Sequence, residues 1–384
     1  MTRAATPGRL RILHAATLLS PDGAYGGPIR VSLNQAEALR GRGHTVTLAA
    51  AERGFSIAPT TAEGTPLVLR RARRLVPGTG FAGICAPDLV AWLRRAGYQF
   101  DVAHVHLARD LVLLPLAATM AKLRIPFVLQ PHGMILPGTN VLAPLLDRAV
   151  VAKLLCRAHE VFYLTTDERD ALDLIAGGQA RLTRLPNGVP LYEAASPPRA
   201  VPEVLFLARL HQRKRPVDFV DAATELNAGG VIADYTLVGP DEGEARRVQQ
   251  AASNADNIRW EGPVAGGDGP ARMRRATVFV LPSVSPEPYP MAVLEAMSVG
   301  LPVVITEQCG LASMVRKYNC GIVITPGAPA IANAVRGLLA APADARAMGQ
   351  RGRAAVIHDL GMSAIGERLE NSYTAAASVT RWLV

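Results

Sequence analysis

The segment from Thr277 to Thr306 constrains the fold more than any other part of the chain. It reads TVFVLPSVSPEPYPMAVLEAMSVGLPVVIT, so two apolar runs flank a stretch of good helix formers that begins at Pro290. Proline suits the first helical position because its missing N–H would be unpaired there. Gly300 and Pro302 predict the helix end. The order strand, turn, helix, strand predicts a βαβ unit in a parallel sheet.

The same alternation recurs through a chain of 384 residues, which is long enough for two domains. A proline-rich stretch, Ala195–Glu203, separates two halves that each begin with an apolar run. We therefore predict an α/β fold with one parallel sheet in each half. The predicted strands are 10–16, 45–49, 102–105, 127–130 and 161–164 in the first half, and 204–208, 234–238, 258–260, 277–281, 302–306 and 321–324 in the second.

The helix after Pro290 predicts an anion site. The N–H groups of Met291, Ala292 and Val293 would point out of the helix start, where the helix dipole favours negative charge. Glu287 precedes this helix and Glu295 lies about 7.5 Å along its axis at 1.5 Å per residue. Two carboxylates on either side of a bound diphosphate would suit the hydroxyl groups of a nucleotide sugar. A solvated helix with unrelated glutamates remains the alternative.

Six segments, in the expected order along the chain, resemble the retaining glycosyltransferases of family 4. EPYPMAVLE, from Glu287 to Glu295, is similar to that family's E-x7-E signature. FLARLHQRKRP is similar to its G-R-L-x-x-x-K element and places Arg209 and Lys214 at the basic positions. AYGGPIRVSLNQAEALRGRGHTV resembles its N-terminal Gly-Gly loop and helix, and DVAHVH, PHGM and PNGV are further matches.

The resemblance implies the GT-B fold, with two Rossmann-like domains whose parallel sheets face an interdomain cleft. Residues 1–190 would form the acceptor-binding domain, joined by a C-terminal crossover helix at about 363–384. Residues 191–362 would form the nucleotide-sugar-binding domain. The implied activity is transfer of a sugar from a nucleotide-diphosphate sugar to a glycan, glycolipid or small-molecule hydroxyl, with retention of anomeric configuration.

The resemblance also assigns roles to individual residues. Glu295 would hold the ribose, while Arg209, Lys214 and the helix start would hold the diphosphate. Glu287 and His132 would position the transferred sugar. Gly26 and Gly27 would let backbone N–H groups approach a phosphate. The alternatives are a solvated basic loop for the two cations, a structural role for the histidine and a plain turn for the glycines.

Other histidines and two departures from the family pattern complete the prediction. His104 and His106 are expected to point to opposite faces of a strand and are left outside the site. Base contacts are expected from backbone near Gly262–Val264. Pro290 stands at the usual glycine of the E-x7-E element. Cys309 and Ser313 stand at the usual glycine and glutamate of a later G-G-x-x-E-x-V element, so the shape near the donor sugar is expected to differ.

The positive charge is concentrated in the first half. Residues 1–200 contain 23 Lys/Arg and 14 Asp/Glu, a net +9, whereas residues 201–384 contain 18 of each, a net zero. The densest cluster is RRARR, Arg70–Arg74. It predicts a peripheral contact with an anionic membrane or an acidic acceptor, with a solvated basic face as the alternative. Nothing resembles a nucleic-acid-binding module, so no nucleic-acid partner is expected.

Four cysteines without C-x-x-C spacing, Cys85, Cys156, Cys309 and Cys320, predict reduced thiols in a cytoplasmic protein. We expect no metal and no cofactor, because the cationic pair would neutralise the diphosphate and no D-x-D element stands in a suitable turn. A GT-B nucleotide-sugar epimerase and a non-catalytic nucleotide-sugar-binding protein are the rival functions. The nucleotide base, sugar, acceptor and oligomeric state are not predicted.

Overall fold

The computed structural model describes residues 8–21, 26–75, 82–136, 143–197, 199–264, 267–284 and 287–381. The chain divides into two compact units. Unit 1 contains the described residues up to Gly188 together with those from Met362 onward, and unit 2 is Val189–Gly361. Each unit has its own parallel sheet and its own buried core.

The strands are β1 (Arg11–Leu19), β2 (Thr45–Glu52), β3 (Thr61–Ala62), β4 (Thr65–Arg71), β5 (Arg73–Arg74), β6 (Ile84–Cys85), β7 (Val102–Val105), β8 (Phe127–Leu129), β9 (Glu160–Tyr163), β10 (Leu182–Arg184), β11 (Glu203–Leu207), β12 (Asp234–Val238), β13 (Ile258–Trp260), β14 (Val278–Leu281), β15 (Val303–Thr306) and β16 (Gly321–Ile324).

The helices are α1 (Gly26–Gly41), α2 (Pro87–Ala96), α3 (Leu113–Lys122), α4 (Ala143–Leu146), α5 (Ala152–Arg157), α6 (Thr166–Ala176), α7 (Pro216–Ala228), α8 (Ala245–Ala252), α9 (Gly269–Met273), α10 (Met291–Val299), α11 (Ala312–Tyr318), α12 (Ala328–Ala340), α13 (Pro342–Ala355) and α14 (Met362–Arg381). Within the described ranges, no helix combines the length and the apolar character that a membrane crossing requires.

The sheet of unit 2 has the strand order β13-β12-β11-β14-β15-β16, and every neighbouring pair is parallel. Counted from its first strand, this is the order 3-2-1-4-5-6 of a Rossmann-like sheet. Its two central strands, β11 and β14, are buried and almost entirely apolar, as expected where helices cover both faces of a sheet. Val204, Phe206, Val278 and Val280 are completely buried at its centre.

The main sheet of unit 1 has the order β10-β9-β8-β7-β1-β2-β4-β3. All its pairs are parallel except the short β3–β4 pair at one edge. The C-terminal helix α14 packs in this unit, where Glu370 accepts hydrogen bonds from Arg42 and His44. Chain order reverses between β1 and β7 here, and between β11 and β14 in unit 2.

These two reversals locate the candidate sites. In an open parallel sheet, the loops on either side of the reversal leave in opposite directions, so a crevice opens at the carboxyl ends of the strands. The segments that follow β1, β7 and β8 lie at this edge in unit 1. The segments that follow β11 and β14 lie at the corresponding edge of the sheet in unit 2.

The predicted central strands agree with the structure to within a few residues, but five other strands were missed. These are β3, β4, β5, β6 and β10. β5 consists of Arg73 and Arg74 and pairs with Ile84 and Cys85 in a separate two-stranded sheet. Strands of two or three residues are too short to show a period-two pattern, whereas β4 contains the apolar run PLVL, which the prediction overlooked.

A buried ion network fixes one end of the unit 2 sheet. Arg272, at 8% exposure, donates to Glu203 Oε1 at 2.6 Å and to Glu261 Oε2 at 2.8 Å. Thr236 also donates to Glu203 Oε1 at 2.7 Å. Burial raises the pKa of Glu203, but the bonds from Arg272 and Thr236 outweigh it, so that pKa lies below its ordinary value.

We expect Arg272→Ala to lower the free energy of unfolding of unit 2 by about 3–5 kcal/mol, because it leaves the carboxylate of Glu203 buried without its cation. Urea denaturation followed by circular dichroism measures the change. The matched control is Arg336→Ala, which removes a solvent-exposed pair with Glu225 and should change stability very little. Equal losses in the two variants would contradict a structural role for the Arg272 network.

Candidate functional site

Lys214 and Glu287 form an ion pair across the strand reversal of unit 2. Lys214 follows β11 in a 3₁₀ turn, Gln212–Lys214, and Glu287 follows β14. The two side chains are only 10% and 16% exposed. A second contact joins the same loops, because the N–H of Val284 donates to the carbonyl of Arg213 at 2.8 Å. The structure therefore brings together two of the predicted site residues.

The environment of Lys214 favours an anionic ligand. Burial lowers the pKa of this lysine, and the nearby cations Arg209 and Arg213 lower it further, while Glu287 opposes them. The pKa of Lys214 therefore lies below its ordinary value even with its partner in place. An anion arriving here would relieve the cost of the buried charge.

Arg209 follows the same strand but has a different partner. Its guanidinium donates to both carboxylate oxygens of Glu242, at 2.6 and 2.9 Å, and its side chain is 52% exposed. Its loop lies against the next one because Leu210 pairs with Asp241. Gly239 permits this close approach, since a Cβ there would lie 2.0 Å from the carbonyl oxygen of Ala208.

The helix α10 begins one residue later than predicted. Pro290 is its N-cap, with φ −69° and ψ 113°, and no side chain caps the helix start. The expectation that Val293 offers a free N–H is wrong, because this group donates to the Pro290 carbonyl at 3.1 Å. Met291 and Ala292 are the first two helical residues, whose N–H groups have no carbonyl one turn earlier to bond.

The two glutamates of the E-x7-E segment lie against different groups. Glu287 binds Lys214, whereas the half-buried side chain of Glu295 lies beside Gly269 at the start of α9. A Cβ on Gly269 would lie 3.7 Å from Glu295 Oε2 and 4.0 Å from Leu207. Glu295 is therefore close to the carboxyl end of β11.

The departures from the family pattern shape the loop next to Glu287. Cys309 forms an isolated parallel bridge with Glu287, and the N–H of Gly310 donates to the Glu287 carbonyl at 2.9 Å. Burial, with a contribution from Glu287, raises the pKa of the Cys309 thiol to about 12. A Cβ on Gly310 would lie 2.0 Å from the Pro288 carbonyl oxygen, so no other residue fits without movement of the loop. Ser313 is exposed on α11.

Part of the backbone that was expected to contact a nucleotide base is already hydrogen-bonded within the fold. The carbonyl of Gly262 accepts from the N–H of Gly239 at 2.9 Å. Trp260 Nε1–H donates to the Gly239 carbonyl at 2.9 Å and holds the same turn. The first glycine of the predicted contact region is thus fixed beside the end of β12.

In unit 1, both predicted glycines lie in the first turn of α1, which begins at Gly26. A Cβ on Gly27 would meet none of the described atoms within 4 Å. The packing of the described residues therefore does not require glycine at this position. Residues 22–25, which include part of the predicted loop, lie outside the described ranges.

His132 lies after β8 in a left-handed conformation with φ 54°, followed by Gly133 with φ 76°. Glu168 on α6 supports this turn and was missed by the sequence reasoning. Its buried carboxylate accepts the N–H of Gly133 at 2.6 Å and that of Leu164 at 2.7 Å. Burial raises the pKa of Glu168, and these two bonds oppose the rise. The pattern Thr165-x-x-Glu168 is a capping-box signal that could have drawn attention to this carboxylate.

The prediction for His104 and His106 is wrong. Residues two apart on a strand share a face, and these two rings are stacked with centroids 4.5 Å apart. His106 Nδ1 lies 2.7 Å from His132 Nε2. His106 therefore belongs to the same cluster as the predicted site residue.

Asp110 is a further titratable group at the strand reversal of unit 1. It accepts from the hydroxyl of Thr17 at 2.7 Å and from the N–H groups of Val112 and Leu113 at 2.8 and 2.6 Å. Burial raises its pKa to about 6, against the effect of these bonds. Its bonds show a structural role in ordering the start of α3.

Two family models match consecutive parts of the chain. The model for Glycosyltransferase Family 4 matches residues 25–193, and the model for Glycosyl transferases group 1 matches residues 194–355.

Curated relatives match over shorter segments. A putative colanic acid biosynthesis glycosyltransferase of Salmonella typhimurium is 32% identical over 126 residues, which is 31% of each chain. The UDP-Gal:alpha-D-GlcNAc-diphosphoundecaprenol alpha-1,3-galactosyltransferase of Escherichia coli is 24% identical over 59% of this chain and 62% of its own. The segment matched to the Salmonella protein spans 31% of that protein's length. The segment matched to the Escherichia coli protein of the same name spans 43% of its length.

Solved structures match over nearly the whole chain. Anabaena HepE in complex with UDP and glucose has a TM-score of 0.75 at 19% identity, covering 96% of this chain and 100% of that one. Sucrose-phosphate synthase of Thermosynechococcus elongatus has a TM-score of 0.74 at 19% identity, covering 97% and 100%. At this identity the likeness concerns the fold. Together with the two family models, it shows that the chain belongs to the family 4 type of glycosyltransferases with the GT-B fold.

Proposed function

We propose that this protein transfers a sugar from a nucleoside-diphosphate sugar to a hydroxyl of a glycan, glycolipid or small molecule. The observation that carries the proposal is the buried Lys214–Glu287 pair at the strand reversal of unit 2. Glu287 lies four residues before the start of α10, which has no side-chain cap, and a buried cation together with such a helix start suits phosphate groups.

Each residue has a role in this proposal. Lys214 and the N–H groups of Met291 and Ala292 bind the diphosphate, and Arg209 joins them by leaving Glu242. Glu295 accepts hydrogen bonds from the ribose hydroxyls. Glu287 holds Lys214 and contacts the transferred sugar. In unit 1, His132 binds a sugar hydroxyl, and the start of α1 at Gly26 and Gly27 provides backbone N–H groups.

The reaction follows from where negative charge grows. The bond between the anomeric carbon and the phosphate oxygen breaks, and the electron pair stays on the nucleoside diphosphate. Lys214 and the helix start stabilise that charge without a metal ion. The acceptor oxygen bonds to the same face of the anomeric carbon, with retention of configuration, and its proton passes to the departing phosphate oxygen.

The relatives guide the choice of substrates to test. HepE was solved with UDP and glucose, and the name of the Escherichia coli galactosyltransferase specifies a UDP-sugar donor and a lipid-linked sugar acceptor. We propose a UDP-sugar as the first donor to examine, with a membrane-anchored or soluble glycan as acceptor.

The donor role is tested by comparing two variants in buffer that contains EDTA. Glu295→Ala should abolish the thermal stabilisation that a bound nucleoside diphosphate gives the wild type, which is about 2.7 kcal/mol at a ligand concentration of 100 times Kd. Glu287→Gln should keep most of that stabilisation but slow release of the nucleoside diphosphate from its sugar on the order of 10²–10³-fold. Thermal-shift and product-release assays measure the two effects with UDP, GDP and ADP and their sugars.

Glu307→Ala is the matched control, because Glu307 is an exposed glutamate just after β15. It should behave as wild type in both assays. If Glu295→Ala and Glu287→Gln also behave as wild type, the residue assignments are wrong. If EDTA abolishes activity and Mg²⁺ or Mn²⁺ restores it, the metal-free mechanism is wrong.

The basic cluster of unit 1 supports a peripheral contact with an anionic membrane. Arg71, Arg73 and Arg74 are exposed, and the next residue, Leu75, is 66% exposed. Among the described residues, the ion-pair partner of Arg73 is Asp88, which is itself exposed and lies 3.3 Å away. Basic side chains beside an exposed leucine suit the headgroup region of an acidic bilayer.

Changing the four arginines of this cluster to serine should remove most binding to vesicles with acidic lipid. Each basic residue near such a surface contributes about 1 kcal/mol, within a Debye length. Vesicle co-sedimentation at low and high salt measures binding, which should weaken steeply with salt. The changed residues are Arg70, Arg71, Arg73 and Arg74.

The control for this experiment changes four exposed arginines of unit 2 and should leave vesicle binding intact. Those residues are Arg246, Arg316, Arg346 and Arg351. If the wild type ignores acidic vesicles at low salt, the cluster is a solvated face and a soluble acceptor becomes the better proposal.

A further inference from the structure

Five polar rings from four parts of unit 1 meet inside its core. His14 lies on β1, His104 at the end of β7 and His106 just after it, and Tyr373 lies on α14. All four are 0% exposed. The fifth is His132, after β8. His14 and His104 are register partners on neighbouring strands, so the sheet itself places them side by side.

The five rings form one continuous hydrogen-bonded chain. His132 Nε2 lies 2.7 Å from His106 Nδ1, and His106 Nε2 lies 3.3 Å from His14 Nδ1. His14 Nε2 lies 3.3 Å from the hydroxyl of Tyr373, which lies 2.5 Å from His104 Nδ1. Both nitrogens of His14 and of His106 are thereby used.

All the groups in the chain are neutral at pH 7. Burial lowers the pKa of His14 to about 3 and that of His132 to about 4. Burial, with the neighbouring histidines, lowers the pKa values of His104 and His106 well below the ordinary value. Burial raises the pKa of Tyr373 well above its ordinary value. Each imidazole therefore carries one N–H and the phenol one O–H.

Since each ring carries one such proton, only two arrangements place one hydrogen atom in each of the four contacts between the rings. If Tyr373 donates to His104, then His14 must donate to Tyr373, His106 to His14, and His132 Nε2–H to His106. His132 Nδ1 is then an acceptor. If Tyr373 instead donates to His14, every bond reverses and His132 Nδ1 carries the proton.

The outer end of the chain can contact a ligand. His132 Nδ1 is buried and has no hydrogen-bond partner among the described residues, although the side chain of Asn187 is near enough to raise the pKa of the ring. An unpaired buried nitrogen costs free energy unless a ligand satisfies it. Whether that ligand must donate or accept depends on the direction of the chain.

We propose that His14, His106 and Tyr373 are positioning residues that set the tautomer of His132, so that the hydroxyl of one tyrosine on α14 decides whether His132 Nδ1 accepts from or donates to a sugar hydroxyl. The sugar contact rests on the function proposed above. The hydrogen-bonded chain of five rings rests only on the geometry of unit 1.

A metal ion is the competing explanation of the cluster. Candidate ligand atoms of His14, His104 and His106 lie within 4.8 Å of one another. However, the rings of His104 and His106 are nearly parallel, at 10°, and metal ligation uses a lone pair in the ring plane. Lone pairs of two stacked rings do not converge on one ion. The nitrogens of His14 and His106 are also engaged in the hydrogen bonds of the chain.

The test is long-range ¹H–¹⁵N NMR of the full chain with ¹⁵N-labelled histidine rings at pH 7. The signals of His132 are assigned from their loss in His132→Gln. In the wild type, His132 and His106, the latter assigned in the same way from His106→Gln, should carry the proton on the same kind of ring nitrogen, because both arrangements require it. In Tyr373→Phe, which keeps the packed ring and removes the hydroxyl, the populations of the two His132 tautomers, read from its two ¹⁵N shifts, should change, because the bond at His14 Nε2 is lost.

Tyr235→Phe is the matched control. Tyr235 is a buried tyrosine of unit 2, 1% exposed, whose hydroxyl has no hydrogen-bond partner among the described residues. This variant should leave the His132 signals unchanged. Unchanged His132 signals in folded Tyr373→Phe, or opposite tautomers of His106 and His132 in the wild type, would overturn the proposal. One tightly bound metal ion per chain, found by elemental analysis, would overturn it too.

A kinetic readout separates this proposal from the proposed function. Tyr373→Phe should lower turnover of the sugar nucleotide roughly tenfold to a hundredfold, the effect that loss of a hydrogen-bond partner has on metal-bound imidazoles. The affinity for the nucleoside diphosphate should be unchanged. If the wild type turns over no sugar nucleotide, the proposed function fails, while the NMR result still decides whether Tyr373 sets the tautomer of His132. If turnover and affinity are both unchanged while the NMR signals change, the proposed contact between His132 and the sugar is wrong.

Discussion

The buried ion pair of Lys214 and Glu287 is the interaction on which the candidate donor site depends. A lysine that is only 8% exposed is costly to keep charged unless negative charge faces it. Glu287 supplies one such charge, yet burial and the neighbouring arginines still hold the pKa of Lys214 below its ordinary value. The site is thus built around a cation that one carboxylate does not fully satisfy, and we propose that a phosphate group is the ligand that completes it.

The position of this pair follows from the order of the strands. β11 and β14 are neighbours at the centre of the sheet although three helices and two strands separate them in the chain. Their following loops must diverge, and Lys214 and Glu287 hold them together across the gap. The reversal between β1 and β7 in unit 1 likewise brings together His14 on β1, His106 after β7 and His132 after β8. In both units the topology creates the crevice, and buried polar groups then fix its chemistry.

The sequence predicted the apolar centre of each sheet well and its edges poorly. Strands such as β12 and β13 were predicted with their observed bounds because an apolar or β-branched run ends where the strand ends. β5 is two arginines and gave no such signal.

Within the site, local rules located the start of α10 but not the bond from Val293 to Pro290. The partners of Arg209 and Gly133 lie 33 and 35 residues away, so no local pattern could reveal them. The error over His104 and His106 came from misapplying the period of two, which puts both on one face.

The most direct test of the central claim is a crystal structure of the full chain with a bound nucleoside diphosphate. The proposed donor site predicts phosphate oxygens within hydrogen-bond distance of Lys214 Nζ and of the N–H groups of Met291 and Ala292, with the ribose hydroxyls on Glu295. A nucleotide bound elsewhere, with Lys214 still held by Glu287 alone, would contradict it.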